Sequence, residues 1–215
     1  MPTLFDLAET DRLLSTTRAV RRRLDLARPV ERKVLLDCIR LSQQAPTGSN
    51  GQTWRWLVVT DAGKRAELAR FYRETGQQYL TMARDNLAKG DAQTQRVYDS
   101  AFWLMDHLHE VPVHVIPCMV GRLPENAPLG LVASSFGSIF PAVWSFQLAL
   151  RSRGLGSTLT TLHLFREAEA AKLLGIPEGV SQVALLPVAY TKGTDFKVAE
   201  RAAPETITSF DTWSV

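Results

Sequence analysis

The chain has 215 residues, of which 45% are hydrophobic and 22% charged, with a formal net charge of +3. That is the balance of an ordinary soluble protein, long enough for one substantial core or two small ones. Its two cysteines form no CxxC pair, which excludes a zinc knuckle and a redox dithiol.

Residues 4–15 are predicted as a short helix, and the first ten residues lack the basic and apolar runs of a signal peptide. A cytoplasmic setting, in which both thiols stay reduced, is expected. Arginines then crowd the chain at Arg12, Arg18, Arg21, Arg22, Arg23 and Arg28. A helix is predicted over 31–44, with Val34, Leu35, Cys38, Leu41 and Ala45 on its apolar face at a 3.6-residue period. Pro46 ends it, because the residue before a proline avoids the helical region. A strand is predicted over 53–60, followed by a turn at Asp61-Ala62-Gly63.

A long polar helix is predicted over 64–88, with Leu68, Phe71, Tyr72, Tyr79 and Met82 facing inward, and Gly90 and Asp91 interrupt it. A second helix covers 94–109, and a β-rich run covers 111–121. No charged residue occurs over 126–150, a length that could span a bilayer. Asn126, Ser134, Ser135, Ser138, Ser145 and Gln147, with Pro128 and Pro141, would be costly in lipid, so a buried central helix over 131–153 is predicted instead. Gly154 is placed as its cap. A strand over 154–162, a short amphipathic helix ending at Gly175 and a long strand over 180–190 complete the pattern, and the tail from 191 has no firm period. Four strands scattered among long helices give one α+β domain.

Four stretches could carry chemistry. Arg18, Arg21 and Arg22 are close enough to converge on one anion, since guanidinium forks match phosphate oxygens. A solvated basic face is the plain alternative, and the nucleic-acid reading lacks interleaved aromatic residues. Pro46, Thr47, Ser49, Asn50 and Gln52 offer amides, hydroxyls and carboxamides that suit the edge of a flat heteroaromatic ring. Asn50-Gly51 is also a strong turn dipeptide by itself. Gly154, Gly156 and Ser157 allow a close backbone approach but do not make a GxGxxG loop. In the tail, Lys192, Lys197 and Arg201 either return to the anion or solvate the chain end. No GxSxG elbow occurs, and His107, His109, His114 and His163 show no metal-ligand spacing. Anion and ring contacts without a nucleophile or a metal set point to a cofactor that carries the chemistry.

These four pieces, in this order, resemble the FMN-dependent nitroreductase family. They read RAVRRRL near the start, APTGSNGQTW after the second helix, GLGSTL after the uncharged helix, and LLPVAYTKGTDFKVAERAAPE at the end. The resemblance implies a three-layer α+β fold, with a mixed and mostly antiparallel sheet flanked by helices. It implies a single domain over 1–215, whose tail from about 191 packs on the partner of an intertwined homodimer. FMN would lie at the subunit interface and touch both chains.

Residue by residue, the resemblance assigns Arg18 and Arg21 to the phosphate, with Arg22 as a third member. Ala19 stands where the family has serine, and Thr17 where it has the first arginine. Pro46, Thr47, Ser49, Asn50 and Gln52 would line the isoalloxazine ring, Gly156 and Ser157 its other face, and Lys197 and Arg201 would add phosphate contacts. Thr53 replaces a proline, and Trp144-Ser145 replaces Gln-Asn in the central helix. The implied activity is ping-pong transfer from NADH or NADPH through flavin N5 to a small electron-poor acceptor, a nitroaromatic or a quinone, with no catalytic side chain and no metal. Ene reduction, dehalogenation or flavin breakdown are the alternatives on the same fold. A basic phosphate-binding module is the alternative of another class. Neither nucleic acid nor membrane is an expected partner.

Overall fold

The computed structural model of the chain describes residues 4–86 and 92–214, so the predicted interruption at Gly90 and Asp91 and the predicted helix end at Ala88 lie outside them. Residues 18–194 form one compact unit, and the described parts of the two chain ends, 4–17 and 195–214, group as another.

Within the larger unit, β1 (Trp54–Val59), β2 (Val113–Val120), β3 (Leu155–Ser157), β4 (Val180–Gln182) and β5 (Leu186–Tyr190) make one sheet in the order β1-β2-β5-β3, with β4 also on β2. Every pairing between these strands is antiparallel, and one isolated parallel bridge joins Gly121 to Val180. The side-chain period of two sorts the residues between faces. Trp54, Val113, Val115 and Met119 enter one buried cluster with Leu35 and Cys38 of α2 (Arg32–Ser42) and Ile139, Val143 and Phe146 of α5 (Leu129–Arg151). His114, Ile116 and Cys118 alternate with them and face the opposite way. There His114 Nε2 lies 2.9 Å from the Leu108 carbonyl, in the 3₁₀ turn that packs on α3 (Ala62–Asp85). α4 (Ala92–His107) packs on α3, and Glu167 of α6 (Glu167–Leu174) takes the Gln182 side chain. Helices therefore cover both faces of the sheet.

The predicted long strand over 180–190 is broken. Between Cys118 and Val115 lie Ile116 and Pro117, whereas between their partners Gln182 and Leu186 lie Val183, Ala184 and Leu185. The extra residue is a β-bulge. Pro117 sits beside it in a central strand, where a proline has no N–H for the ladder. Its carbonyl still accepts from Val183 at 3.0 Å, while Leu185 turns away to exchange two hydrogen bonds with Thr160. The predicted strand over 154–162 keeps just Leu155–Ser157, paired with Val188–Tyr190. The rest of it makes that single bridge and then a 3₁₀ turn over Leu162–Arg166.

Some predicted inward residues lie outside. Leu68, Phe71 and Tyr72 are buried, but Tyr79 and Met82 are exposed. They share the faces of Tyr72 and Phe71, so the period holds. Leu80 between them is buried, so the last turns of α3 keep one covered face, with Tyr79 and Met82 outside it. Leu41 is also exposed, because the buried face of α2 is centred on Leu35, Cys38 and Ser42. α6 stops at Gly175, which adopts the left-handed φ of 70° that suits glycine.

The predicted central helix is buried over only half its length. Ile139, Ala142, Val143, Phe146, Gln147, Ala149 and Leu150 of α5 are inside, whereas Leu129, Leu131 and Trp144 are exposed. α5 is long and apolar enough to cross a membrane by length and composition, and 22% of its apolar window is buried. In the smaller unit, α1 (Leu7–Thr16) is capped by the Asp6 carboxylate, which accepts from the Glu9 amide, and buries no residue.

Candidate functional site

The arginine-rich segment is held along the sheet edge by two buried apolar residues. Val20 and Leu24 are buried, and the Val20 amide donates to the Ser157 carbonyl at 2.9 Å. Asp25 donates to the Tyr190 carbonyl, and Leu24 makes a bridge with Thr191. The polar residues between them must then point outward or sideways. Arg21 Nη1 donates to Ser100 Oγ at 3.2 Å, and Arg22 Nη2 to the Asp99 carbonyl at 3.2 Å, so both arginines reach α4. Arg18 and Ala19 are exposed beside them.

Arg21 is half-buried, and burial pushes its guanidinium below the usual range. No carboxylate pairs with it among the described residues, and its hydrogen-bond partner there is one neutral hydroxyl. A desolvated cation in that state favours an anion, and bidentate phosphate is what a guanidinium fork matches best.

Gly156 is required by packing. A Cβ there would stand 2.7 Å from Thr191 Cγ2 and 2.9 Å from Val20 Cβ. The close approach expected at this glycine is therefore to the chain itself. Ser157 is buried, and its hydroxyl accepts from Gln147 Nε2 of α5 at 3.0 Å.

The segment 46–52 forms a second group. Gly48–Asn50 is one 3₁₀ turn, with Asn50 N–H donating to the Thr47 carbonyl and Gly51 N–H to the Gly48 carbonyl. Ser49 and Asn50 hold positive φ values of 52° and 55°. Two successive non-glycine residues in the left-handed region store strain, which persists only where the surroundings impose it. Pro46, Ser49, Asn50 and Gln52 are exposed, Thr47 is half-buried, and the Gln52 amide lies 3.5 Å from Asn50 Oδ1. The Gly48 amide donates to Ser138 Oγ of α5 at 2.9 Å. A cavity of about 280 Å³ lies beside this turn, lined among others by Gly48, Gly51, Arg122, Ser134 and Ser138.

The structure thus joins Arg21, Arg22, Gly156 and Ser157 into one group and Thr47, Ser49, Asn50 and Gln52 into another. Their anchors on α5, Gln147 and Ser138, are nine residues apart, or about 14 Å along the axis and about half a turn round it. Lys197 and Arg201 lie in the unit formed by the chain ends, where both are exposed and Arg201 donates to the Glu200 carbonyl.

Ser100, Asp99, Gln147 and Ser138 lie outside the site motifs that the sequence displays. Gln147 and Ser138 left a signal there, as polar groups in an otherwise apolar helix. Asp99 acts through its backbone carbonyl, which no sequence pattern displays. Both thiols, Cys38 and Cys118, are free, buried and pushed up by that burial, Cys118 to about 11, so neither is a ready nucleophile at neutral pH.

Comparison with known proteins gives a family match and a set of structural likenesses. The model of the Nitroreductase family matches residues 14–190. An iodotyrosine deiodinase of Thermotoga neapolitana is 28% identical over 190 residues, covering 88% of this chain and 89% of its own. A crystal structure of oxidized iodotyrosine deiodinase bound to FMN and 3-iodo-L-tyrosine is similar, with a TM-score of 0.70 and 23% identity, over 94% of this chain and 99% of that one. Nitroreductase A from Vibrio parahaemolyticus superposes with a TM-score of 0.69 at 15% identity, over 98% of this chain and 78% of that one. At these identities the two solved structures show the shared fold alone.

Proposed function

This chain belongs to the nitroreductase family, and from that membership we propose an FMN-dependent oxidoreductase that takes electrons from NADH or NADPH and reduces an electron-poor acceptor, such as a nitroaromatic or a quinone. Membership makes it a flavin-dependent enzyme. The observation that carries the reading is Arg21, a desolvated guanidinium with no carboxylate partner among the described residues, beside the Val20–Ser157 junction.

Bound here, FMN would supply two-electron chemistry at its N5 atom. The protein's part is to bind, orient and polarise. Arg21, with Arg18 and Arg22, would hold the phosphate. Tethering to Ser100 and Asp99 aims Arg21 and Arg22 before any ligand arrives, so less side-chain entropy is lost on binding. The turn at 47–50 would present its amides and the Asn50 carboxamide to the ring edge, where fixed donors stabilise developing negative charge. The cytoplasm, where both thiols stay reduced, is the proposed setting.

We propose in addition that the protein is a homodimer. The arginine group and the 46–52 turn are anchored on opposite sides of α5, and the first half of α5 exposes Leu129 and Leu131. An apolar helix left uncovered in one chain suits a second copy, which would complete each site with its own turn. The chain ends, with Phe5, Phe210 and Trp213 exposed, would pack on that partner.

Reductive dehalogenation is the second reading, favoured by the 28% identity to an iodotyrosine deiodinase along nearly the whole chain. One experiment separates the two. The purified protein, loaded with FMN, is reduced anaerobically with NADH, NADPH or dithionite and then offered a nitroaromatic, a quinone or 3-iodotyrosine. Bleaching by a nicotinamide and recovery with the nitroaromatic or quinone is expected. Bleaching by dithionite alone, with iodide released from 3-iodotyrosine, would replace the first reading with the second. A protein that retains no FMN would end both. Sedimentation should give twice the 23.9 kDa chain mass, and an FMN-loaded monomer would overturn the dimer.

A further inference from the structure

One residue of α5 grips the 46–52 turn at both ends. The Gly48 amide donates to Ser138 Oγ at 2.9 Å, and the Trp54 indole N–H donates to the Ser138 carbonyl at 2.8 Å. Gly48 opens the 3₁₀ turn, and Trp54 opens β1. The Ser138 hydroxyl gives its own proton to the Ser134 carbonyl at 2.7 Å, so a lone pair faces Gly48. The contact is close. A Cβ on Gly48 would stand 2.9 Å from Ser134 Oγ and 3.3 Å from Ser138 Oγ. Pro141, one turn further along, has no N–H to offer the Gly137 carbonyl, so the helix ladder is already short of a donor where this grip is made.

We propose that Ser138 is a positioning residue for the flavin edge, setting the place of the 47–50 amides through Gly48 and Trp54. This rests on the reading that the turn lines the FMN ring. Ser49 and Asn50 hold left-handed conformations that few chains adopt unaided. The backbone hydrogen bonds inside the turn run from Asn50 to Thr47 and from Gly51 to Gly48, and both are short-range. They give the turn its shape but do not locate it. Location comes from outside, and Ser138 supplies it at the first residue of the turn and again at the first residue of the strand behind it. Trp54 is buried and belongs to the same core cluster as Ile139, so the grip is referred to the rigid centre of the molecule.

The test uses the full chain as Ser138→Ala and Ser138→Thr, with FMN as the probe. Amide hydrogen exchange at Gly48 is followed in the protein freed of flavin, FMN affinity by fluorescence, and global stability by urea denaturation. In Ser138→Ala the Gly48 amide should exchange about tenfold faster and the FMN Kd should rise about tenfold, the loss of roughly one hydrogen bond. Global stability should fall by no more than that one hydrogen bond accounts for, and Ser138→Thr, which keeps the hydroxyl, should restore all three values. Unchanged Gly48 exchange and unchanged affinity in Ser138→Ala would overturn the proposal. So would an affinity loss matched by faster exchange throughout α5 and the sheet, because that is general destabilisation. If the parent protein binds no FMN, the flavin reading fails, and Gly48 exchange alone then decides whether the clamp exists.

Discussion

Val20 and Ser157 are joined main chain to main chain, the amide of Val20 donating to the carbonyl of Ser157 at 2.9 Å, and Gly156 is the residue that lets them meet. A methyl group at 156 would press on Val20 Cβ and Thr191 Cγ2 together. Gly156→Ala should therefore lower stability by about 1–3 kcal/mol, the usual cost of overpacking, and displace the arginine segment. Urea denaturation checks the first effect and FMN titration the second. A variant as stable as the parent would show that the ribbon over 20–25 can shift freely.

Arg21 should divide stability from ligand affinity. It is half-buried without a carboxylate among the described residues, so Arg21→Ala removes a desolvated cation and should leave stability within about 0.5 kcal/mol of the parent. FMN affinity should fall about 10- to 100-fold, the range for losing a hydrogen bond to a charged group. Riboflavin, which lacks the phosphate, should bind both proteins equally. Equal FMN affinity in the two proteins would remove Arg21 from the phosphate site.

Ser49 holds a φ of 52° without the freedom of a glycine. Ser49→Gly should relieve the left-handed strain and raise stability by up to about 1 kcal/mol, after the larger unfolded-state entropy of glycine is subtracted. FMN affinity should fall in the same variant if the Ser49 hydroxyl faces the ring. Thermal denaturation with and without FMN measures both. A loss of stability in the flavin-free protein would contradict the strain account.

His114 and His163 make stability depend on mild acid. Both are fully buried, and burial lowers each imidazole to about 4. For His114 the hydrogen bond to the Leu108 carbonyl opposes burial while Arg65 and His163 add to it, and Glu167 opposes burial at His163. An unfolded histidine titrates near 6.5, so between these values the unfolded chain binds protons that the fold refuses. Stability should be full above about pH 6.5, fall as pH drops toward about 4, and level off below, by on the order of 3 kcal/mol for each residue. Neither nitrogen of His163 has a hydrogen-bond partner among the described residues. His163→Leu should thus cost little at pH 7.5 and flatten the decline between pH 6.5 and 4.5, as read by urea midpoints. A decline as steep as the parent's would assign the acid sensitivity to other groups.

Much of the fold could be read from local pattern. The helix starting after Glu31, the Trp54 strand, the turn at Gly175 and the strand through Val113 follow from period, proline and glycine, which act over a few residues. The long strand at 180–190 could not be read as two. Val183, Ala184 and Leu185 look like any apolar run, and the bulge exists because the facing residue across the sheet is Pro117. Tyr79 and Met82 point the way their period says, but nothing local tells whether a neighbour is there to cover them.

The residue types needed to hold an anion and edge a ring, and their order along the chain, were determined by the sequence alone, because side-chain charge and turn conformation are properties of a residue and its near neighbours. Which of them meet was decided by tertiary structure. Arg21 stands with Ser100 and Ser157, and Asn50 stands near Ser138, because distant strands and one long helix carry them there. Proximity between residues 79 to 136 positions apart is set by packing, and packing depends on the whole core at once.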